Sequence, residues 1–311
     1  MNSKLNKCKG VLLGLAVGDA LGTAVEFKPP GTFPLVKDLL GGGAFNLPAG
    51  KWTDDTSMAL CIADSLIEKK GFDAFDQLEK YVRWYKHGYN SSTGSCFDIG
   101  IATQRALSIF ERTRQPYCGD LHRDSAGNGS IMRLAPIPIF YQNNILSLLK
   151  YAALSSQTTH GAPQCVDACK YMACLIAAAI DGMSKEELLS ENFLLNFAGL
   201  QPNGIDVTIR EILMGSFKTK RPPEIIGSGY VVKTLEAALW AFYETNDFES
   251  GALKVVNLGH DADTTGAVYG QIAGAYYGLE GIPEKWLKKI YREQDMQTIV
   301  ERLYAISTNE L

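Results

Sequence analysis

Glycine recurs every fourth residue in two stretches near opposite ends of the chain: Gly14, Gly18 and Gly22 in "GLAVGDALG", and Gly266, Gly270, Gly274 and Gly278 in "GAVYGQIAGAYYG". That spacing puts each set on one face of an α-helix. A glycine inside a helix costs about 1 kcal/mol relative to alanine, so a run of them needs an offsetting gain. Close approach of two helix backbones provides one, because a face without Cβ atoms lets two helix axes come together. The pattern therefore predicts two helices that cross at the centre of the fold and bring the two ends of the chain side by side.

The rest of the chain agrees with an all-α bundle. Apolar residues repeat at three and four in "SMALCIADSLIEKK" (57–70), "DQLEKYVRWYK" (76–86), "DIGIATQRALSIFERT" (98–113) and "TLEAALWAFYE" (234–244), and strand-like alternation is nearly absent. Breaks at 28–34, 41–50, 87–95, 119–129 and 219–229 are too short and too mixed to be interdomain linkers, so residues 1–311 read as a single domain. With 46% hydrophobic and 21% charged residues the chain has ample material for a core. The net charge of −4 and the shortness of its basic clusters argue against a nucleic-acid partner. Seven cysteines without a CxxC pair, three of them (Cys165, Cys169, Cys174) on one apolar stretch, fit a reducing cytoplasm. The N-terminal lysines followed by "GVLLGLAVG" imitate a signal peptide, but Asp19 falls where a small-residue cleavage site belongs. No uninterrupted apolar run reaches the roughly 18 residues of a membrane span, and no membrane association is expected.

Two acidic clusters carry the chemistry. "WTDDTSMAL" sets Thr53 at an N-cap position with Asp54 and Asp55 in the first turn of an amphipathic helix. "GHDADTTG" repeats the arrangement with Asp261, Asp263 and Thr264. Either alone fits simple capping. Brought together, four carboxylates repel strongly unless cations lie between them, and all-oxygen ligands select hard ions such as Mg²⁺ or Mn²⁺. An aspartate shared by two ions would suit a binuclear site. His260-Asp261 also reads as the paired ligand of an all-α HD-type phosphohydrolase, with His87, His122 or His160 completing the set. No GxSxG elbow, Walker loop or HExxH is present.

The chain resembles the ADP-ribosylglycohydrolases, including the dinitrogenase-reductase-activating and ADP-ribosylarginine-hydrolase branch. The likeness runs through "GLAVGDALGTAVEF", "WTDDTSMAL", "SSTGSCFDIG", "GNGSIMRLAPI", "THGAPQCVDAC", "GSGYVVKTLEAALWAF" and "NLGHDADTTGAVYGQIAGAYYG" in that order. The resemblance implies an all-α, metal-dependent hydrolase that removes ADP-ribose from a modified side chain, with arginine favoured. Its partner would be an ADP-ribosylated protein or a small ADP-ribosyl substrate. It implies two divalent cations, Mg²⁺ or Mn²⁺, held by Thr53, Asp54, Asp55, Asp261, Asp263 and Thr264. It also points to Glu26 and Asp98 as catalytic carboxylates. Asp98 reads equally as the N-cap of a helix over 98–113. For ADP-ribose itself the resemblance implies Gly127, Asn128, Gly129 and Ser130, read as a helix start offering N–H groups to a diphosphate. It adds His160 near the phosphates or ribose and Tyr230 against adenine. His260 departs from the family pattern, where many relatives carry glycine. A third reading is a non-catalytic relative kept for binding or structure.

Overall fold

The computed structural model describes residues 3–309. Sixteen α-helices follow one another: α1 (Ser3–Gly22), α2 (Asp54–Lys69), α3 (Ala74–His87), α4 (Ile101–Thr113), α5 (Pro136–Tyr141), α6 (Ile145–Gln157), α7 (Pro163–Asp181), α8 (Lys185–Leu188), α9 (Phe193–Ala198), α10 (Val207–Leu213), α11 (Ser216–Thr219), α12 (Val231–Glu244), α13 (Phe248–Val256), α14 (Ala262–Tyr277), α15 (Glu284–Leu287) and α16 (Glu293–Asn309). Among the described residues there is no β-strand, only three isolated bridges. The chain is all-α.

Helices α1 and α14 form the axis of the molecule. From Cys8 to Gly22 every residue of α1 is buried, and so is every residue of α14 from Ala262 to Ala275. A helix buried on all sides has to pack on all sides. Here α2, α5, α7, α13 and α16 lie against α1, and α7, α12 and α13 against α14. The two axial helices run antiparallel in a fixed register. Gly10 faces Gly274, Gly14 faces Gly270, Gly18 faces Gly266 and Gly22 faces Ala262, and a methyl group on any of these glycines would overlap the opposing main-chain atoms. The stripes are thus the contact itself, and α1 carries one more member, Gly10, than the sequence reading assigned to it.

Ends of elements follow local chemistry. Helix α2 stops at Lys70, α3 at Gly88 and α7 at Gly182, each in the left-handed conformation that terminates a helix. Asp73, Asn144 and Asp247 cap α3, α6 and α13 through their side chains. Helix α4 begins at Ile101 with Gly100 as N-cap, so the predicted start at Asp98 is three residues early and Asp98 caps nothing. Helices α1, with its continuation to Val25, and α7 each have the length and hydropathy of a membrane span, but 94% and 83% of their apolar windows are buried against other helices. All seven cysteines are free thiols.

Candidate metal centre and ADP-ribose cavity

The N-termini of α2 and α14 meet beside the C-terminal end of α1. The meeting is set by the glycine register, which brings Ala262 onto Gly22 and so aligns the acidic start of α14 with the end of α1. Asp19, one turn before that end, is fully buried and reaches across to α2. Its Oδ1 accepts from the Thr53 amide at 2.9 Å and the Thr53 hydroxyl at 3.0 Å, and its Oδ2 from the Thr56 amide at 3.1 Å and the Thr56 hydroxyl at 2.6 Å. Asp19 therefore caps α2 from another helix. Thr53 occupies the predicted N-cap position but makes no side-chain cap of its own. Its hydroxyl instead sits within 3.0 Å of Asp55 Oδ2 and 3.2 Å of Asp263 Oδ2. The hydroxyl holds one proton and faces three carboxylates, so it can satisfy one of them at a time.

Carboxylate oxygens converge in two groups, Asp19 with Asp55 and Asp263, and Glu26 with Asp261 and Asp263, the atoms of each group lying within 4.8 Å of one another. Asp263 belongs to both. Asp55 Oδ1 and Glu26 Oε2 are buried without a hydrogen-bond partner, which is costly for any polar atom and more so for an ionised one. Burial pushes Asp55, Asp54 and Asp263 well above the usual carboxylate range, with the neighbouring carboxylates adding to the effect. Glu26 is pushed up to about 9, first by burial and then by Asp98, Asp261 and Asp54. Such a set is satisfied either by protons or by divalent cations, and its donors are the hard oxygens that Mg²⁺-like ions prefer. Asp19 differs from the rest: with four protein donors it needs no ion. No histidine joins either group among the described residues, so the HD-type ligand set is not assembled.

A cavity of about 810 Å³ opens above these carboxylates, within the size range of small-molecule sites. Glu26, Asp54, Asp98, Asp261, Asp263 and Thr264 form its acidic floor. Asp98 is partly buried on this floor; burial and the Asp261 charge raise it to about 6. Glu26 follows the short turn after α1, and its loop is latched to the start of α14 by backbone bonds. Phe27 N–H donates to His260 O at 2.6 Å, and His260 N–H donates to Lys28 O at 2.8 Å. Phe27 and His260 hold this latch with φ of 63° and 55°, an uncommon backbone for such side chains. His260 is exposed on the cavity wall, and its main chain does the positioning.

The opposite wall is the "GNGS" segment. Residues 128–133 form successive turns, not a helix start, because Ile131 and Met132 N–H both bond back to Asn128 O and the next helix begins only at Pro136. Gly127 and Gly129 lie over the His160 ring: a Cβ on Gly129 would come within 2.7 Å of His160 Cε1, and one on Gly127 within 3.3 Å of Nε2. Gly127, Asn128, Gly129 and His160 all line the cavity. Two assigned residues do not. Ser130 is buried behind the wall, its hydroxyl accepting from Ser156 at 2.9 Å. Tyr230 borders a neighbouring depression with Arg123 and Gln164 that meets the main cavity at Gly127 and Gly229. Asn128 spends its amide on the protein, donating to Asp261 Oδ2 at 2.7 Å, Thr234 Oγ1 at 3.0 Å and Ser228 O at 3.2 Å, and so holds a floor carboxylate in place.

This geometry joins both ends of the chain in one acidic, open site, and comparison with known proteins places it. The family model for ADP-ribosylglycohydrolase matches residues 1–310. The chain belongs to the ADP-ribosylglycohydrolase family. Among curated relatives of this glycohydrolase are the ADP-ribosylarginine hydrolases Tri1 of Serratia proteamaculans, 40% identical over 99% of this chain and 82% of the relative, and of Pseudomonas putida, 42% identical over 96% and 78%. The ADP-ribosyl-[dinitrogen reductase] glycohydrolase of Rhodospirillum rubrum is 30% identical over 97% of both chains. A solved structure described as an ADP-ribosylglycohydrolase-related protein complex superposes with a TM-score of 0.87 at 45% identity, covering 99% of this chain and all of the other. The phosphohydrolase reading is not favoured, and an ADP-ribosylglycohydrolase enzyme stands in its place.

The sequence reading missed Asp19 as a site residue and used it only to argue against a cleavage site. An ionisable group inside an otherwise apolar, glycine-striped helix was the available signal, since a buried charge needs partners.

Proposed function

We propose that this glycohydrolase cleaves the N-glycosidic bond between ADP-ribose and an arginine side chain, with two divalent cations, Mg²⁺ or Mn²⁺, as cofactors. The observation that carries the reading is the Glu26, Asp261 and Asp263 carboxylate group on the floor of the cavity, with a buried Asp55 oxygen within reach of Asp263. The arginine linkage is supported by relatives at 40–42% identity that are named ADP-ribosylarginine hydrolase.

Asp54, Asp55, Asp261 and Asp263, with the hydroxyls of Thr53 and Thr264, would hold the ions, and Glu26 is within ligating reach of one group. Bound there, the ions supply Lewis acidity and a template for the vicinal hydroxyls of the ribose. The chain's own residues do the rest. Glu26 and Asp98 face the same space with different tendencies to hold a proton, Glu26 near 9 and Asp98 near 6. Glu26 could deliver a proton to the departing guanidine nitrogen only while no cation lies on its carboxylate, and cations on Asp54 and Asp261 would offset the charges that raise it. Ligated, it is ionised, so proton delivery and ligation exclude each other at that oxygen. Asp98 faces the same cavity and would offset the charge of an oxocarbenium-like centre; a water adding at that carbon would complete the hydrolysis, its proton restoring Glu26. The Gly127–Gly129 turns and His160 form the wall suited to the diphosphate and the ribose. Tyr230 lies past the Gly127–Gly229 edge, where the adenine end would leave the main cavity.

Seven free thiols support a reducing, cytoplasmic setting. A site assembled from α1, α2 and α14 supports reading residues 1–311 as one domain, and an ADP-ribosylated protein as the substrate suits the open cavity. A panel of arginine-, serine- and acetyl-linked ADP-ribose, each with and without Mg²⁺ or Mn²⁺, tests the reading. Metal-dependent release from the arginine conjugate is expected, together with its loss in Asp55→Ala and Asp263→Ala. Release from none of the three would return the non-catalytic reading.

A further inference from the structure

Behind the Gly127–Gly129 wall lies a buried chain of polar groups that the reaction scheme above leaves unused. Arg133 is fully buried, and among the described residues its donors meet two threonine hydroxyls and the Met58 sulfur and no carboxylate. Its guanidinium stacks on the Tyr81 ring at 4.6 Å and donates through one nitrogen to Thr159 Oγ1 at 2.6 Å and, more weakly, to Thr158 Oγ1 at 3.3 Å. Thr159 Oγ1 in turn lies 2.7 Å from His160 Nδ1.

The direction of each bond in this chain follows from the donors its members hold and the acceptors within their reach. A guanidinium has donors only. Thr159 Oγ1 therefore accepts from Arg133, and its own buried proton has His160 Nδ1 as its one acceptor among the described residues; an Nδ1–H would leave that proton unsatisfied, so Nδ1 accepts. In a neutral imidazole the other nitrogen then carries the hydrogen. His160 is only 3% exposed, and burial with the Arg133 charge beside it pushes its pKa down from 6.5 to about 3, so the ring is neutral at working pH. Its Nε2 has no acceptor among the described residues and faces the edge of Gly127 and Gly129 on the cavity wall. We infer that Arg133 and Thr159 are positioning residues that fix His160 as the Nε2–H tautomer, presenting a neutral donor to an acceptor oxygen of the bound ADP-ribose. The ligand class rests on the proposed function; the tautomer does not.

Long-range ¹H–¹⁵N correlation spectra of histidine-labelled protein test this directly, since the chain has four histidines and His160→Asn identifies the resonance. The wild type should show an unprotonated, hydrogen-bonded Nδ1 and a protonated Nε2 from pH 5 to 8. Thr159→Val should move Nδ1 to the position of an unbonded nitrogen. It should also raise both KM for the arginine-linked substrate and Kd for free ADP-ribose about 10-fold, with kcat within about two-fold. Thr159→Ser should restore all three. Arg133→Met removes the charged donor that orients the Thr159 hydroxyl and disfavours a proton on the facing nitrogen, and an Nδ1–H tautomer should become detectable. A wild-type ring protonated on Nδ1 overturns the proposal whatever the activity, as does a Thr159→Val protein with wild-type KM and Kd. The expected spectrum in a protein that releases ADP-ribose from no linkage would sink the functional reading alone.

Discussion

At the scale of single residues, two buried aspartates in contact with the same threonine have opposite jobs. Asp19 is saturated by donors, while Asp55 keeps an oxygen with none. Removing Asp19 strands two amides at the start of α2, so Asp19→Ala should lower stability by about 2–4 kcal/mol in chelator-treated protein, read from urea unfolding. Asp55→Asn removes an uncompensated charge instead. It should leave the cation-free protein as stable as wild type or more so, and abolish metal-dependent release. Equal destabilisation by both changes would contradict this division. The acidic cluster was legible from its own spacing because Asp54, Asp55, Asp261 and Asp263 are placed by the helix starts they belong to. Asp19, Asn128 and Arg133 were not. Each acts on a partner distant in sequence, so no local pattern could reveal it.

Among the elements, the glycine stripes were readable because helical periodicity alone puts them on one face, and the packing reason for them is general. The segment at 127–130 was misread because glycine there answers to the His160 ring, a tertiary neighbour, and not to a helix terminus. The same physics sets the cost of substitution. Gly18→Ala would drive a methyl into the Gly266 carbonyl, with backbone on both sides and no flexible side chain to yield. Stability should fall by more than about 3 kcal/mol, or soluble protein should be lost. Gly204→Ala, with open space around it, is the control and should change stability by about 0.5 kcal/mol or less. Thermal melts of the pair are sufficient. A Gly18→Ala protein with a wild-type melt would mean that the helices separate without penalty.

For the whole molecule, the titration of the site should dominate how stability varies with pH. The site carboxylates have folded pKa values above their unfolded ones, so their contribution is present below about 4 and is lost as pH rises toward 9, the value for Glu26. His160 runs the other way. Its folded pKa lies below the unfolded value of 6.5, so its contribution is present above 6.5 and is lost as pH falls toward 3. Cation-free protein should therefore be most stable in mildly acidic solution and weaken toward pH 8, and Mg²⁺ or Mn²⁺ should raise Tm most at the alkaline end. His160→Asn should flatten the acid limb only. A Tm that rises steadily to pH 8 in chelator would rule out a repulsive carboxylate cluster.

The contact between Thr53 and Asp263 joins residues 210 positions apart, and the antiparallel axis gathers nearly everything around a helix that is made late. During synthesis α1 leaves the ribosome with its bare glycine face unmatched, and it must wait until the twelve helices between them have been made before α14 arrives to cover it. The nascent chain thus carries an exposed apolar helix for about tens of seconds, and neither the carboxylate cluster nor the cavity is complete until the second stripe is delivered. Slow or interrupted elongation before α14 should consequently be the step at which this protein most depends on chaperones.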